Sequence, residues 1–295
     1  MGAHRPTADF PRHLEALYAG FPFDRSYDDD PISQVRPLAR DLRRAEVAGV
    51  FASTLAIGNT TAIRGAIDRL GRLVDGDVQR LVDPTWAGER RRRLRGFRHR
   101  WIRGDQLDYL AGALAAFYRT APSLESAFVR GLEDGGFAYG LDALARVLRG
   151  EALARRARAA PRGYAALFPS PLDAGHSPAK RLTLFVRWMV RPRFPDLGVW
   201  THVPTGELRV PLDQHVHWIA YHLGLTARKS RSWSAVEEVS ESLRRIDPLD
   251  PVRFDFVLCH TGISGDCPKE RDLAVCGPCS VRPDCLLWRT RRTSA

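Results

Sequence analysis

The chain has 295 residues, of which 44% are hydrophobic and 27% charged, with 45 Lys plus Arg, a net charge of +11 and 9% aromatic residues. That is enough apolar material for a sizeable core, in one large domain or two lobes, and it excludes a disordered or fibrous chain. No apolar run approaches the ~20 residues of a membrane span, and the first ten residues lack a signal peptide's apolar core, so a cytoplasmic protein with no membrane attachment is expected.

Excess positive charge suits a polyanionic partner, because each neutralised phosphate releases counterions, and arginine's planar fork matches phosphate geometry. An arginine-rich composition throughout the chain is the plain alternative.

In chain order, apolar spacing predicts a short helix around His13–Tyr18 and then a loop at Asp28-Asp29-Asp30-Pro31. Those three carboxylates read as helix-entry charges more than as a metal site. From Asp41 to Leu73 the pattern is helical, with a turn at Ile57-Gly58-Asn59-Thr60-Thr61 where Asn59 or Thr60 can cap the next helix. Residues Glu89–Gly104 form the densest basic run, with Phe97 and Trp101 interleaved. Arg100 and its neighbours can contact phosphate and Trp101 can stack on an unpaired base, or the run is a solvated helical face. Helices are expected at Gln106–Arg119, Ser123–Leu132, Leu141–Arg156, Pro161–Leu167, Lys180–Val190, Ser234–Ile246 and Pro251–Ile263. An extended insert is expected over 191–212.

Only Lys180, Lys229 and Lys269 are lysines in this arginine-rich chain. An amine can lose its proton and attack a carbonyl-like carbon to form a Schiff base, which guanidinium cannot do. Compositional drift is the competing explanation. On the same predicted helix Arg181, Arg187 and Arg191 are like-charged neighbours that disfavour a protonated amine. Further on, Val210-Pro211-Leu212-Asp213-Gln214-His215-Val216-His217-Trp218-Ile219-Ala220 places Asp213 at a helix start. There its carboxylate can accept free N–H groups, and the helix dipole favours an anion. Trp188, Trp200 and Trp218 lie near the Lys and Asp segments and are either flat walls for a flipped base or core. His215 is placed for DNA contact or helix packing. Four cysteines follow as Cys267-x8-Cys276-x2-Cys279-x5-Cys285, a four-thiolate set that suits zinc or an iron–sulfur cluster. Cys259 reads as a buried thiol in an apolar helix.

The segment from Val210 to Ala220, with Lys180 upstream, resembles the catalytic segment of the helix-hairpin-helix (HhH-GPD) DNA glycosylases, the superfamily of endonuclease III and the 8-oxoguanine glycosylases. The wide Lys180-to-Asp213 spacing is more similar to the archaeal 8-oxoguanine branch. The segments Lys180–Arg191, Pro211–Thr226 and Ile246–Ile263 resemble the DUF2400 family. The superfamily's Leu-Pro-Gly-Val-Gly hairpin pattern is absent from Phe168–Pro178, so a hairpin here is degenerate or reshaped.

The resemblance implies an all-α, two-lobed fold with a C-terminal four-cysteine cluster loop. It implies an N-terminal segment, 1–40, packing with the C-terminal lobe. A helical bundle, 41–192, would end in the hairpin and Lys180, and a C-terminal lobe, 193–295, would carry Asp213 and the cysteines. It implies a base-excision glycosylase and abasic-site lyase acting as a monomer on double-stranded DNA, at the nucleoid when bound. Lys180 would be the nucleophile, Asp213 its partner and 8-oxoguanine the first substrate to test. Asn59 would fill the gap left by an extracted base. The last two cysteine gaps equal those of the endonuclease III cluster loop and the first is two residues longer. That implies a [4Fe-4S] cluster, with zinc the alternative, and a basic loop bearing Lys269 and Arg271 against the DNA backbone. The rival functional readings are a non-enzymatic DNA-binding protein on the same scaffold and a lyase acting only on abasic sites.

Overall fold

The computed structural model describes residues 6–154 and 159–289. The protein is all-α. The single strand pair among the described residues is a two-residue antiparallel hairpin, Arg98–His99 with Ile102–Arg103. No helix among them is long and apolar enough to cross a membrane.

The chain divides into two compact units. One comprises Met1–Ser26, His176–Lys180 and Thr205–Ala295, and the other Tyr27–Gly175 and Arg181–Pro204. These divisions fall at 26 and 204, against 40 and 192 expected from the sequence. Lys180 groups with Asp213 and the cysteines.

The second unit is built on helices Leu42–Leu55, Thr60–Leu73, Gly104–Phe117, Leu124–Gly135, Phe137–Arg149 and most of Lys180–Val190. Their starts are set by side-chain caps. Asp41 accepts from the Arg44 N–H, Asn59 from Ala62 and Ser123 from Ser126. Each such cap satisfies an N–H that the helix leaves free. The apolar faces bury Val50, Phe51, Leu110, Leu114, Phe128 and Phe185.

Charged groups are buried inside this core. Glu46 is fully buried and accepts hydrogen bonds from the Tyr118 hydroxyl (2.9 Å), the Leu124 N–H (2.8 Å), the Glu125 N–H (3.3 Å) and the Trp200 indole (2.8 Å). Burial raises its pKa against the opposing pull of those donors. A second buried polar group joins Arg187 and Arg191 to Asp196, at 3.0 and 3.2 Å.

In the first unit, Gln214–His222, Trp233–Arg244 and Asp255–Ile263 pack with the N-terminal helix Phe10–Ala19. Tyr18, Phe21, Phe23, Phe254 and Phe256 form edge-on and stacked ring contacts. The buried Asp284 carboxylate accepts from the Thr7 N–H and faces His13 Nδ1, both at 2.7 Å, and so ties the chain's start to the cysteine segment.

Three expectations are corrected. Asp28 and Asp29 lie in a helix, Phe23–Asp29, and Asp30 accepts from the Ile32 N–H to start the next turn. The Glu89–Gly104 run is helical only to Leu94, then turns into the hairpin. The Leu141–Arg156 helix stops at Arg149, where Gly150 takes a left-handed cap, and Arg156 lies outside the described residues.

Glu46→Ala should lower unfolding free energy by about 2–4 kcal/mol, because it strands buried donors. Because its folded pKa is raised above the ordinary 4.5, Glu46 favours folding most fully below that value. The contribution is lost as pH rises through the raised pKa. Urea unfolding across that window should show Glu46→Gln gaining on the wild type as pH increases.

Candidate active site and cysteine centre

Asp213 is the N-cap of the Gln214–His222 helix. Its Oδ1 accepts from the His215 and Val216 N–H groups, each at 2.8 Å. Its Oδ2 accepts from the Cys259 thiol at 3.4 Å. That third contact depends on a close helix crossing. A side chain at Gly262 would put its Cβ 2.6 Å from His215 Cβ. Cys259 and Gly262 are three residues apart and so share one face of their helix. His215 is half-buried, and its Nδ1 is enclosed without a hydrogen-bond partner.

Lys180 opens the Lys180–Val190 helix directly after Ala179, a buried residue at φ 47°. The segment before it is anchored where the Trp233 N–H donates to the His176 carbonyl (2.9 Å). The half-buried Lys180 amine has no hydrogen-bond or ion-pair partner among the described residues. Its arginine neighbours have other engagements. Arg187 and Arg191 pair with Asp196, and Arg181 donates to the Thr54 and Ala166 carbonyls, its pKa lowered to about 10 by burial.

The four cysteines line one cavity of about 50 Å³, closed by Trp218, Ile219, Leu258 and Trp288. None is in a disulfide. Burial, and next to it the mutual repulsion of the thiolates, pushes the Cys267, Cys279 and Cys285 pKa values up. No group of three or more His, Cys, Asp or Glu among the described residues is arranged to hold a single metal ion. A four-thiolate set suits either zinc or an iron–sulfur cluster. Two further donors fit such a group. The indole N–H groups of Trp218 and Trp288 are buried with no acceptor, and N–H donors to sulfur are among the features that tune a cluster.

A family model described as "Protein of unknown function (DUF2400)" matches residues 30–264. The chain belongs to the DUF2400 family. No curated protein and no solved structure matches it. The DUF2400 match includes Lys180, Asp213 and Cys259 and ends before Cys267, so the family model covers the Lys and Asp segments and not the thiol cavity.

The other residues singled out in this DUF2400 chain are scattered over both units. Trp188 and Trp200 are 1% and 2% exposed, core residues of the second unit. Trp218 lines the cysteine cavity, its ring tilted against His222 at 3.9 Å. Arg271 is turned back on its own segment. It donates to the Leu287 carbonyl and lies over the Trp288 ring at 5.7 Å. Lys269 is exposed at φ 59°. Asn59 is exposed and caps its helix, and Arg100 and Trp101 are exposed at the hairpin tip. Sequence reading missed the role of Cys259. The signal was there: Cys259 and Gly262 are small residues at helical spacing in an otherwise bulky stretch.

Protein purified without oxygen should contain iron and acid-labile sulfide in equal amounts, and Cys276→Ala should lose both. Stoichiometric zinc with no iron would replace the cluster with a single-ion site.

Proposed function

We propose that this chain is a DNA base-excision glycosylase with lyase activity, which uses Lys180 as nucleophile and Asp213 as its partner. The observation that carries the reading is that one compact unit holds an unpartnered lysine amine, a carboxylate fixed by three donors, and four thiols around one cavity. The resemblance of the Val210–Ala220 segment to the HhH-GPD glycosylases supplies the reaction class. Duplex DNA with a damaged base is the substrate class. The wide spacing from Lys180 to Asp213 makes 8-oxoguanine the first lesion to test.

The chemistry follows from these groups. The target nucleotide is extruded from the duplex. The neutral Lys180 amine attacks the sugar C1′ as the N-glycosidic bond breaks, and the base leaves with the bonding electrons and takes up a proton. Loss of the amine's proton and opening of the sugar ring give a Schiff base. Removal of a C2′ proton then expels the 3′ phosphate and cuts the strand. Asp213 stabilises the positive charge that develops at the sugar, and a carboxylate already held by fixed donors needs no reorganisation as that charge forms. Cys259 acts through Asp213 as a positioning residue. Cys267, Cys276, Cys279 and Cys285 would hold a [4Fe-4S] group, which supplies a covalent crosslink to the C-terminal segment.

Borohydride trapping on duplexes carrying 8-oxoguanine, an abasic site or no lesion tests the reading. A covalent adduct on the 8-oxoguanine duplex is expected, absent in Lys180→Gln and Lys180→Arg. Asp213→Asn should slow base release by roughly 100-fold while DNA binding persists. An adduct on the abasic duplex alone would reduce the activity to a lyase. No adduct and no free base from any duplex would overturn the enzyme assignment and leave a DNA-binding protein.

Cys259→Ala should slow base release about fivefold, the worth of one modest hydrogen bond, and Cys259→Ser should recover most of that rate. Equal rates in wild type and both variants would remove the positioning role.

A further inference from the structure

Of the seven tryptophans, Trp101 is the one that stands in solvent, 60% exposed. It shares the two-residue tip of the Arg98–Arg103 hairpin with Arg100, whose φ is 56°. Glycine, asparagine or aspartate commonly takes such a position, because a Cβ crowds the backbone there. An exposed indole next to a left-handed arginine does nothing for folding, and such outliers collect where a segment has work outside the fold.

The base of the hairpin is held firmly. His99 is buried, and its Nε2–H donates to the Leu55 and Ile57 carbonyls, each at 3.0 Å. The Arg69 guanidinium donates to the Arg98 carbonyl (3.2 Å) and lies over Phe97 at 5.6 Å. Arg100 lies across the turn at Gly58, which has φ 110°, and a Cβ there would be 2.7 Å from its Nη2. The tip is therefore presented on a rigid support beside the exposed Asn59.

The charges around the tip divide into two groups. Arg92 pairs with Glu89, Arg93 with Glu89 and Asp75, and Arg103 with Asp105. Arg95, Arg98 and Arg100 are exposed and have no carboxylate partner among the described residues. A lone flat ring bracketed by free guanidiniums matches a nucleotide, with a base to stack on and phosphates on either side. It does not match a membrane surface, which wants a broader apolar face.

We propose that this hairpin is a stacking finger for unpaired nucleotides in DNA. It would select single-stranded or locally opened strands, and it stands whether or not Lys180 is a nucleophile.

The test is fluorescence-anisotropy titration of the full chain with labelled single-stranded DNA, a fully paired duplex, and a duplex with a short central bubble. Trp101→Ala should weaken single-strand and bubble binding at least fivefold and duplex binding less than twofold, by loss of one stacking contact. Trp101→Phe should restore most of the difference. Arg95→Ala with Arg98→Ala should weaken all three and flatten the salt dependence. Thermal melts of the variants should superimpose on the wild type, since none of these side chains is buried. Borohydride trapping by the wild type is a separate readout, so failure of the glycosylase reading leaves these titrations intact. Equal losses on all three DNAs, or no loss, in Trp101→Ala would overturn the proposal, as would tighter binding of single-stranded RNA of the same sequence.

Discussion

The Asp255–Ile263 helix can lie close against Gln214–His222 because residue 262 has no side chain. Any larger residue there would meet His215. Once the helices are that close, Cys259, one helical turn earlier on the same face, reaches Asp213. The carboxylate is then fixed from two directions, by its own helix's N–H groups on one oxygen and by a neighbouring helix's thiol on the other. A single cap would have left the second oxygen free to rotate with the side chain. The crossing thus turns an ordinary helix start into a rigid acceptor.

The high positive charge means less than it first suggests, because a large part of it is structural. Arg90 is buried, pairs with Asp108 at 2.8 Å and donates to the Leu81 carbonyl. Arg187 and Arg191 share Asp196, and Arg181 serves two carbonyls. Buried guanidinium is tolerated where carboxylate and carbonyl oxygens take most of its donors. The run at Glu89–Gly104 shows both uses side by side. Arg90 holds the core, while Arg95, Arg98 and Arg100 remain in solvent without partners. Charge density along a sequence cannot separate the two, because burial is set by which helix face turns inward and by where the helix ends.

The same distinction explains what was legible in the sequence. Local signals survived: the start of the helix at Lys180, the cap at Asp213, the turn before Thr60 and the grouping of four cysteines are all written in short stretches. The burial of Trp188 and Trp200 was not legible locally. Trp200 turns inward because Glu46, 154 residues away, accepts its indole N–H, a contact that no local pattern reveals. The hairpin was hidden for a related reason. Arg-rich composition reads as helix, and only the pairing of His99 with the carbonyls of Leu55 and Ile57 fixes the chain there as a turn. Cys259 looked like filler because its partner belongs to another helix.

The cysteine cavity and the Asp213 site are parts of one construction. Leu258 lines the cavity, and the next residue, Cys259, faces Asp213. Trp218, Ile219 and His222 line it from the helix that Asp213 caps. Adjacent residues on a helix point about a quarter-turn apart, so two helices can wall the cavity with one stripe and build the acceptor site with the next. The segment that bears the thiols has only short helical turns, Leu273–Cys276 and Leu286–Arg289, and isolated turns of that length are not stable. Its order rests on tertiary ties: Asp284 to Thr7 and His13, and Arg271 to the Leu287 carbonyl. A group bound by the four thiols would fix the far side of both helices, and through them Asp213.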